Sequence, residues 1–411
     1  MSKNILKIRN MMNLVDIQIE KSLRFILIKG FSIKFKILFI LLILSQLGKA
    51  SSFQQEKINL KEVKELNTLF KSGDSDYACF RIPAVVTTNS GTILAFCEAR
   101  KKSCSDTGNI DLVMKSSKDN GLTWSGLKII WDDGDNVCGN PAPVVDRETG
   151  EIHLLATWNN GKDRESQIIE GTSIQGRDIY QLISDDNGEN WTSPKNITPS
   201  VKLPGWTWYA TGPVHGIQLK NKIHKGRLVI PCDHIEKESK KYYSHIIYSD
   251  DHGRSWKLGG ITPQDQVNEC TVAELNNGDL ILNMRNYARK ASQVRQVAIS
   301  KDGGGSWIEQ GFDLQLPEPR CQGALLNTDR KRKELLLFTN PSDAKSRINM
   351  TLSVSKDNGA TWHKKIPIYK SHSAYSDLVE LNDGNIFVLF EAGHQNAYEG
   401  IHYEIISNRE L

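Results

Sequence analysis

From about residue 70 onward, short apolar runs alternate with polar turns that contain glycine. Segments 92–96, 152–156, 227–230, 279–282 and 385–390 are such runs, and Gly91, Gly150, Gly226, Gly278 and Gly384 stand in the turns before them. Runs of about 4–8 apolar and β-branched residues bounded by turn residues predict strands. No long stretch has the 3.6-residue period of an amphipathic helix, and no Pro- or Gly-rich linker divides residues 70–411. The pattern predicts an all-β body.

One motif, Ser-x-Asp-x-Gly-x-x-Trp, ends five of these runs. Its copies begin at Ser117, Ser184, Ser249, Ser300 and Ser355 and end at Trp124, Trp191, Trp256, Trp307 and Trp362. Asp-x-Gly is hairpin chemistry: Asp bonds nearby backbone amides and Gly accepts a positive φ. The Trp supplies a large ring, expected to pin the turn to its own sheet. The starts lie 67, 65, 51 and 55 residues apart, a spacing of one small antiparallel sheet per repeat. Five marked sheets and one unmarked sheet divide the body into units of about 57 residues, the size of a four-stranded blade. The fold expected is a six-bladed β-propeller. Two packed sandwiches would not explain the period. The motif aspartates Asp119, Asp186, Asp251, Asp302 and Asp357 are read as scaffold.

Charge separates the N-terminus from the body. The first 50 residues carry nine Lys/Arg and two Asp/Glu, which leaves 43 basic and 46 acidic residues in the remainder. A body that close to neutral argues against a nucleic-acid partner. Lys34-Phe35-Lys36, the apolar run 37–44 and then Gly48-Lys49-Ala50 follow the basic, apolar, small-residue order of an export signal. The apolar run is too short for a membrane span, although an uncleaved anchor is the alternative. Residues 1–50 are therefore read as an N-terminal extension with a signal, 51–69 as a lead-in and 70–411 as the propeller. The protein is expected outside the cytoplasm, secreted, periplasmic or at the cell surface, with no stable span after cleavage.

Seven cysteines are too few and too scattered for a disulfide scaffold; Cys97 and Cys104 are close enough in sequence to close a small loop. Ten dispersed histidines and the lack of Cys-x-x-Cys or His-Glu-x-x-His predict no metal, and no cofactor motif is present. Asn190, Asn196 and Asn349 are glycan acceptors if the source is a eukaryote.

The candidate chemistry begins at Phe80-Arg81-Ile82-Pro83. An Arg within an apolar strand is costly unless it meets an anion. Arg285, in 281–286, and Arg347, just before the last repeat, have comparable settings. Three guanidiniums converging on one carboxylate would form a strong, planar clamp.

Phe-Arg-Ile-Pro followed by these repeats resembles the secreted sialidases of the bacterial and trans-sialidase-like group, over essentially all of residues 70–411. The resemblance implies a six-bladed propeller in which Arg81, Arg285 and Arg347 bind the sialic acid carboxylate and Glu391 supports Arg81. It implies Tyr375 as nucleophile, paired with Glu269, and Asp106 as acid/base on the loop after Glu98-Ala99-Arg100, with Asp111 as the competing carboxylate. Arg100 matches an Arg lining the pocket. Asn140, before Pro141, stands where several members carry Asp, and the aromatic segment 206–213 either lines the aglycone side or packs between blades. The implied activity is hydrolysis of terminal α-linked sialic acids from glycoproteins, glycolipids or oligosaccharides. Transfer to another acceptor, or intramolecular transfer, uses the same intermediate. A non-catalytic glycan-binding propeller would have lost Tyr375, Glu269 or Asp106, and all three are present.

Overall fold

The computed structural model describes residues 65–220, 223–328 and 335–411. The signal-like segment within 1–50 lies outside them. Among the described residues no helix is long and apolar enough to cross a membrane. The strands form six four-stranded antiparallel blades. The first holds Cys79–Thr87, Ile93–Arg100, Ile110–Ser117 and Lys128–Trp131. The second holds Val137–Val145, Ile152–Asn159, Asp178–Ser184 and Lys195–Asn196. Trp206–Thr211, Leu228–Glu236, Tyr242–Ser249 and Lys257–Ile261 make the third. Val267–Glu274, Leu280–Asn286, Val294–Ser300 and Ile308–Pro317 make the fourth. The fifth has Ala324–Asn327, Leu336–Pro341 and Ile348–Ser355, completed by the start of the long strand Lys364–Glu380. That strand continues as the inner strand of the sixth, beside Ile386–Gly393 and Gly400–Ile406.

The ring closes by pairing its two ends. Asn67–Lys71, which begins inside the segment read as a lead-in, joins Gly400–Ile406 as the outer strand of the sixth blade. This closure explains why the motif occurs five times and not six. Each copy sits on the turn from a blade's third strand to its fourth, since Ser117, Ser184, Ser249, Ser300 and Ser355 end third strands. In the sixth blade those two strands are not consecutive in the chain, so there is no such turn to mark.

The motif's bonds repeat in all five copies. In the fourth, Ser300 Oγ accepts from Gly304 N at 2.8 Å and donates to Asp302 Oδ1 at 2.7 Å, while Asp302 accepts from Ser306 N and Oγ. His252 and Gly253 of the third copy both have positive φ, 58° and 73°, as the hairpin reading requires. The Trp does not stay within its own blade. Trp124 packs on Phe387 and Tyr403 of the sixth blade, Trp191 on Phe96 of the first, and Trp307 Nε1 donates to Gly260 O of the third. A ring that size cannot be buried inside one sheet, so it fills the seam to the preceding blade, where the apolar clusters also lie.

The blade register fixes a functional face. Ser117 pairs with Ile93 while Ile110 pairs with Arg100, so the motif turns and Arg100 lie at opposite ends of the blade. Inner strands break register at the Arg100 end: between Arg81 and Ala84, Gly139 and Ala142, Trp206 and Tyr209, Val267 and Cys270, and Ser373 and Ser376. Such bulges re-aim side chains. Ile82, a β-branched residue at φ 62°, is strained, and its amide donates to Glu391 Oε1 at 2.8 Å.

Candidate active site

The bulged strand ends surround a cavity of about 360 Å³ at one mouth of the central channel. It brings together Arg81, Arg100, Asp106, Asn140, Glu269, Arg285, Arg347 and Tyr375, which are spread over five blades. A larger cavity of about 850 Å³ opens at the opposite ends of the inner strands, beside Thr88, Glu274 and Asn382, and holds none of these residues.

Tyr375 is the centre of the first cavity. Its hydroxyl donates to Glu269 Oε1 at 2.5 Å, and Arg285 Nη1 reaches both Tyr375 Oη at 3.0 Å and Glu269 Oε2 at 2.6 Å. The guanidiniums of Arg81 and Arg347 lie 5.3 and 5.6 Å from its ring centre. All three arginines therefore ring one phenol. Burial pushes that phenol well above its usual range, and Glu269 adds to this; Arg285 and Arg347 oppose it. The resting hydroxyl is protonated, with a carboxylate in place to take the proton.

Each guanidinium is held differently. Arg81 Nε and Nη2 make a forked pair with the two oxygens of Glu391, at 3.1 and 3.2 Å. Glu391 is fully buried behind Arg81 rather than on the cavity wall, and Oε2 also accepts from Tyr375 N. Burial works against the Arg81 charge, but Glu391, with Tyr375, Tyr398 and Asp106 added to it, outweighs burial and raises its pKa. Arg347 has no carboxylate partner among the described residues. Its Nη1 donates to Tyr398 Oη at 2.9 Å and its Nη2 to Arg320 O at 3.2 Å. Tyr398 also lies under Arg81, 4.2 Å from guanidinium carbon to ring centre.

Asp106 stands on the rim with 65% of its side chain exposed, 2.7 Å from Arg100 Nη1 and 3.7 Å from Arg81 Nη1. Desolvation pushes its carboxyl up, but Arg100 first and then Arg81 hold it below the usual carboxylate range. Asp111 is fully buried outside the cavity and accepts from Tyr77 Oη at 2.6 Å. Arg100 is locked by Glu98 Oε2 through Nε and Nη2. Asn140, at φ 52°, donates its amide N–H to Glu98 Oε1 at 2.9 Å, and its Oδ1 accepts from Thr157 and Arg177.

The cysteine expectation is corrected. Cys104 pairs with Cys79, and Cys97 is a free thiol buried in the core. Strand register is the reason: Cys79 is opposite Arg100, where the Cys104 loop begins, whereas Cys97 lies three residues back along the strand.

Sequence reasoning missed several cavity residues. Arg177 bonds Asn140, Thr157 and Asn159 and lies 4.3 Å from the ring of Trp208. It precedes the strand that leads to the second motif copy, as Arg347 precedes the fifth, and that parallel was a usable signal. Glu165, Asp233, Asn268, Tyr287 and Tyr398 also line the cavity and had no signal of that kind. Asp233 accepts from Asn268 Nδ2 at 2.8 Å; burial, with Glu269 next, pushes its carboxyl well above its usual range. The segment 206–213 divides its roles, with Trp208 on the cavity and Trp206 and Tyr209 packed in the core.

Known proteins resemble this chain over most of its length. The BNR repeat-like domain model matches residues 91–388. A sialidase from Bacteroides fragilis is 33% identical over 344 residues, covering 78% of this chain and 61% of its own length. An exo-alpha-sialidase from Aspergillus fumigatus is 31% identical, covering 77% of this chain and 79% of its own. The solved Hadza microbial sialidase Hz136 superposes with a TM-score of 0.74 at 29% identity, over 84% of this chain and 68% of that one. A propeller with this repeat, and relatives of this kind over most of its length, place the chain in the BNR-repeat sialidase family.

Proposed function

We propose that the protein is a retaining exo-α-sialidase that releases terminal α-linked sialic acid from glycoproteins, glycolipids or oligosaccharides through a tyrosyl-enzyme intermediate. The observation that carries this reading is the 2.5 Å hydrogen bond from Tyr375 to Glu269 beneath three guanidiniums. Sialic acid bears a carboxylate on its anomeric carbon. Arg81, Arg285 and Arg347 offer that anion a clamp, and a neutral phenol approaches it without the repulsion an Asp or Glu nucleophile would meet. Sialidases with a Tyr nucleophile are a recognised exception to the rule that glycosidases work with two carboxylates.

In the first half-reaction Glu269 takes the phenolic proton as Tyr375 attacks the anomeric carbon. Asp106 protonates the departing glycosidic oxygen. In the second, Asp106 takes a proton from water, the water oxygen attacks the same carbon, and Tyr375 leaves with its proton returned by Glu269. Two inversions at one carbon retain configuration. In the free site Asp106 is held ionised by Arg100 and Arg81. A bound sialic acid carboxylate would offset the Arg81 charge and so move the Asp106 pKa upward, toward the acid form that the first step needs.

Incubation with an α-linked sialoside, followed by NMR, tests the reading. The first-formed product is expected to be the α-anomer of free sialic acid. A β-anomer at early times would exclude the double displacement, and a 2,7-anhydro sugar would replace hydrolysis with intramolecular transfer. The acid assignment has its own test. Alkyl and sugar leaving groups need a proton and a methylumbelliferyl group does not, so Asp106→Ala should lower kcat/KM, which reports the first half-reaction, by about 10²–10⁴-fold for sialyllactose and far less for aryl sialosides. An equal fall in kcat/KM for both substrates would remove Asp106 from that role, and the same split in Asp111→Ala would transfer it to Asp111.

A further inference from the structure

The loop that carries Asp106 has almost nothing apolar to hold it. Residues 101–109 read Lys-Lys-Ser-Cys-Ser-Asp-Thr-Gly-Asn, and Ser103, Ser105 and Asp106 are exposed. Two backbone bonds anchor its ends, Lys101 N to Asn109 O and Gly108 N to Gly161 O. Between them the fixed points are Arg100, whose Nη1 donates to Cys104 O at 2.6 Å and pairs with Asp106 at 2.7 Å, and the Cys79–Cys104 bond. Segments with few buried apolar contacts open at low free energy, so the covalent link matters more here than in a packed core.

The placement of that link is specific. Cys79 stands two residues before Arg81, and Cys104 two residues before Asp106. A single bond thus ties the strand bearing one clamp arginine to the loop bearing the acid. Cys79 is buried, while Cys104 is partly exposed. The other five cysteines are buried free thiols, so this is the one disulfide among the described residues.

We propose that the Cys79–Cys104 disulfide is a redox-sensitive tether that positions Asp106 for proton transfer, and that reducing it removes acid catalysis while leaving the nucleophile and the carboxylate clamp in place. This rests on the reading of Asp106 as the acid. The reductant is a dithiol. Its thiolate attacks the sulfur of Cys104, the partly exposed partner, and displaces Cys79 as a thiolate, which takes up a proton. The second thiol of the reductant then displaces Cys104, leaving two cysteine thiols and one oxidised cyclic disulfide. Tyr375, Glu269 and Arg285 are bonded to one another and to no part of the loop, Arg81 is held from behind by its forked pair with Glu391, and Arg347 is held by Tyr398 and Arg320, so they keep their geometry.

The test compares the full chain before and after dithiol treatment, with sialyllactose and a methylumbelliferyl sialoside as substrates. Reduction is expected to lower kcat/KM for sialyllactose at least about tenfold, within the span of general acid catalysis, and to change the aryl substrate less than about twofold. Reoxidation should restore the first rate. The double variant Cys79→Ser/Cys104→Ser should behave like the reduced protein and be indifferent to dithiol. Asp106→Ala, assayed in parallel, separates the two ideas. If it lacks the leaving-group split, the acid assignment fails. If it shows the split but the reduced protein keeps its sialyllactose rate, or loses both rates together, the tether is overturned.

Discussion

Tyr375→Phe is expected to fold as the parent does and to lose turnover by about 10³-fold or more, the scale on which enzymes depend on a covalent nucleophile. The fold should survive because the change removes one oxygen and little volume. Glu269 and Arg285 remain paired at 2.6 Å, so no buried charge is stranded. Binding of a sialic acid analogue should change little, because the three arginines keep their other partners. Turnover near the parent's rate would dismiss Tyr375 as the nucleophile. A 3-fluoro sialosyl fluoride provides a second measurement. It should label the parent at Tyr375, and a peptide map placing the label on Glu269 or Asp106 would reassign the covalent step.

Arg347→Ala is expected to weaken that analogue roughly 10- to 150-fold, the loss of a charge-assisted contact worth about 1.5–3 kcal/mol. Arg347 is the informative member of the proposed clamp. Removing Arg81 would leave Glu391, fully buried, without its forked partner, and removing Arg285 would disturb Glu269. Removing Arg347 costs only a phenol and a carbonyl their donors. Arg347→Lys should recover only part of the affinity, because an ammonium cannot reproduce a planar fork. The carboxamide of the same analogue should bind parent and Arg347→Ala alike. Equal affinity of parent and Arg347→Ala for the carboxylate form, measured by calorimetry, would take this residue out of the clamp.

Much of the architecture was legible because repeats are local. Ser, Asp and Gly of each motif copy bond within a few residues, so the turn can be read without knowing the neighbours. The count of five was also legible, but its reason was not. Only the pairing of Asn67–Lys71 with Gly400–Ile406 shows that the sixth blade has no third-to-fourth turn. The destination of the Trp rings was missed for a related reason, since a seam between blades is not a property of either blade alone.

The site residues divide along the same line. Arg81, Arg285 and Arg347 stood out by residue type, because a guanidinium in an apolar strand is costly enough to mark itself, whereas Tyr375, Glu269 and Asp106 were picked out only by the resemblance to the sialidases. The sequence by itself determined the blade-building period, the turn chemistry and this set of candidates. The tertiary structure decided which of them meet. It put Asp106 on the cavity and Asp111 in the core, joined Cys104 to Cys79 and not Cys97, and added Arg177 and Tyr398 to the wall. Those outcomes depend on register and ring closure, which bring residues 310 positions apart, such as Arg81 and Glu391, into one ion pair. Distances of that kind are set by the packing of six sheets around a channel, and no local pattern encodes them.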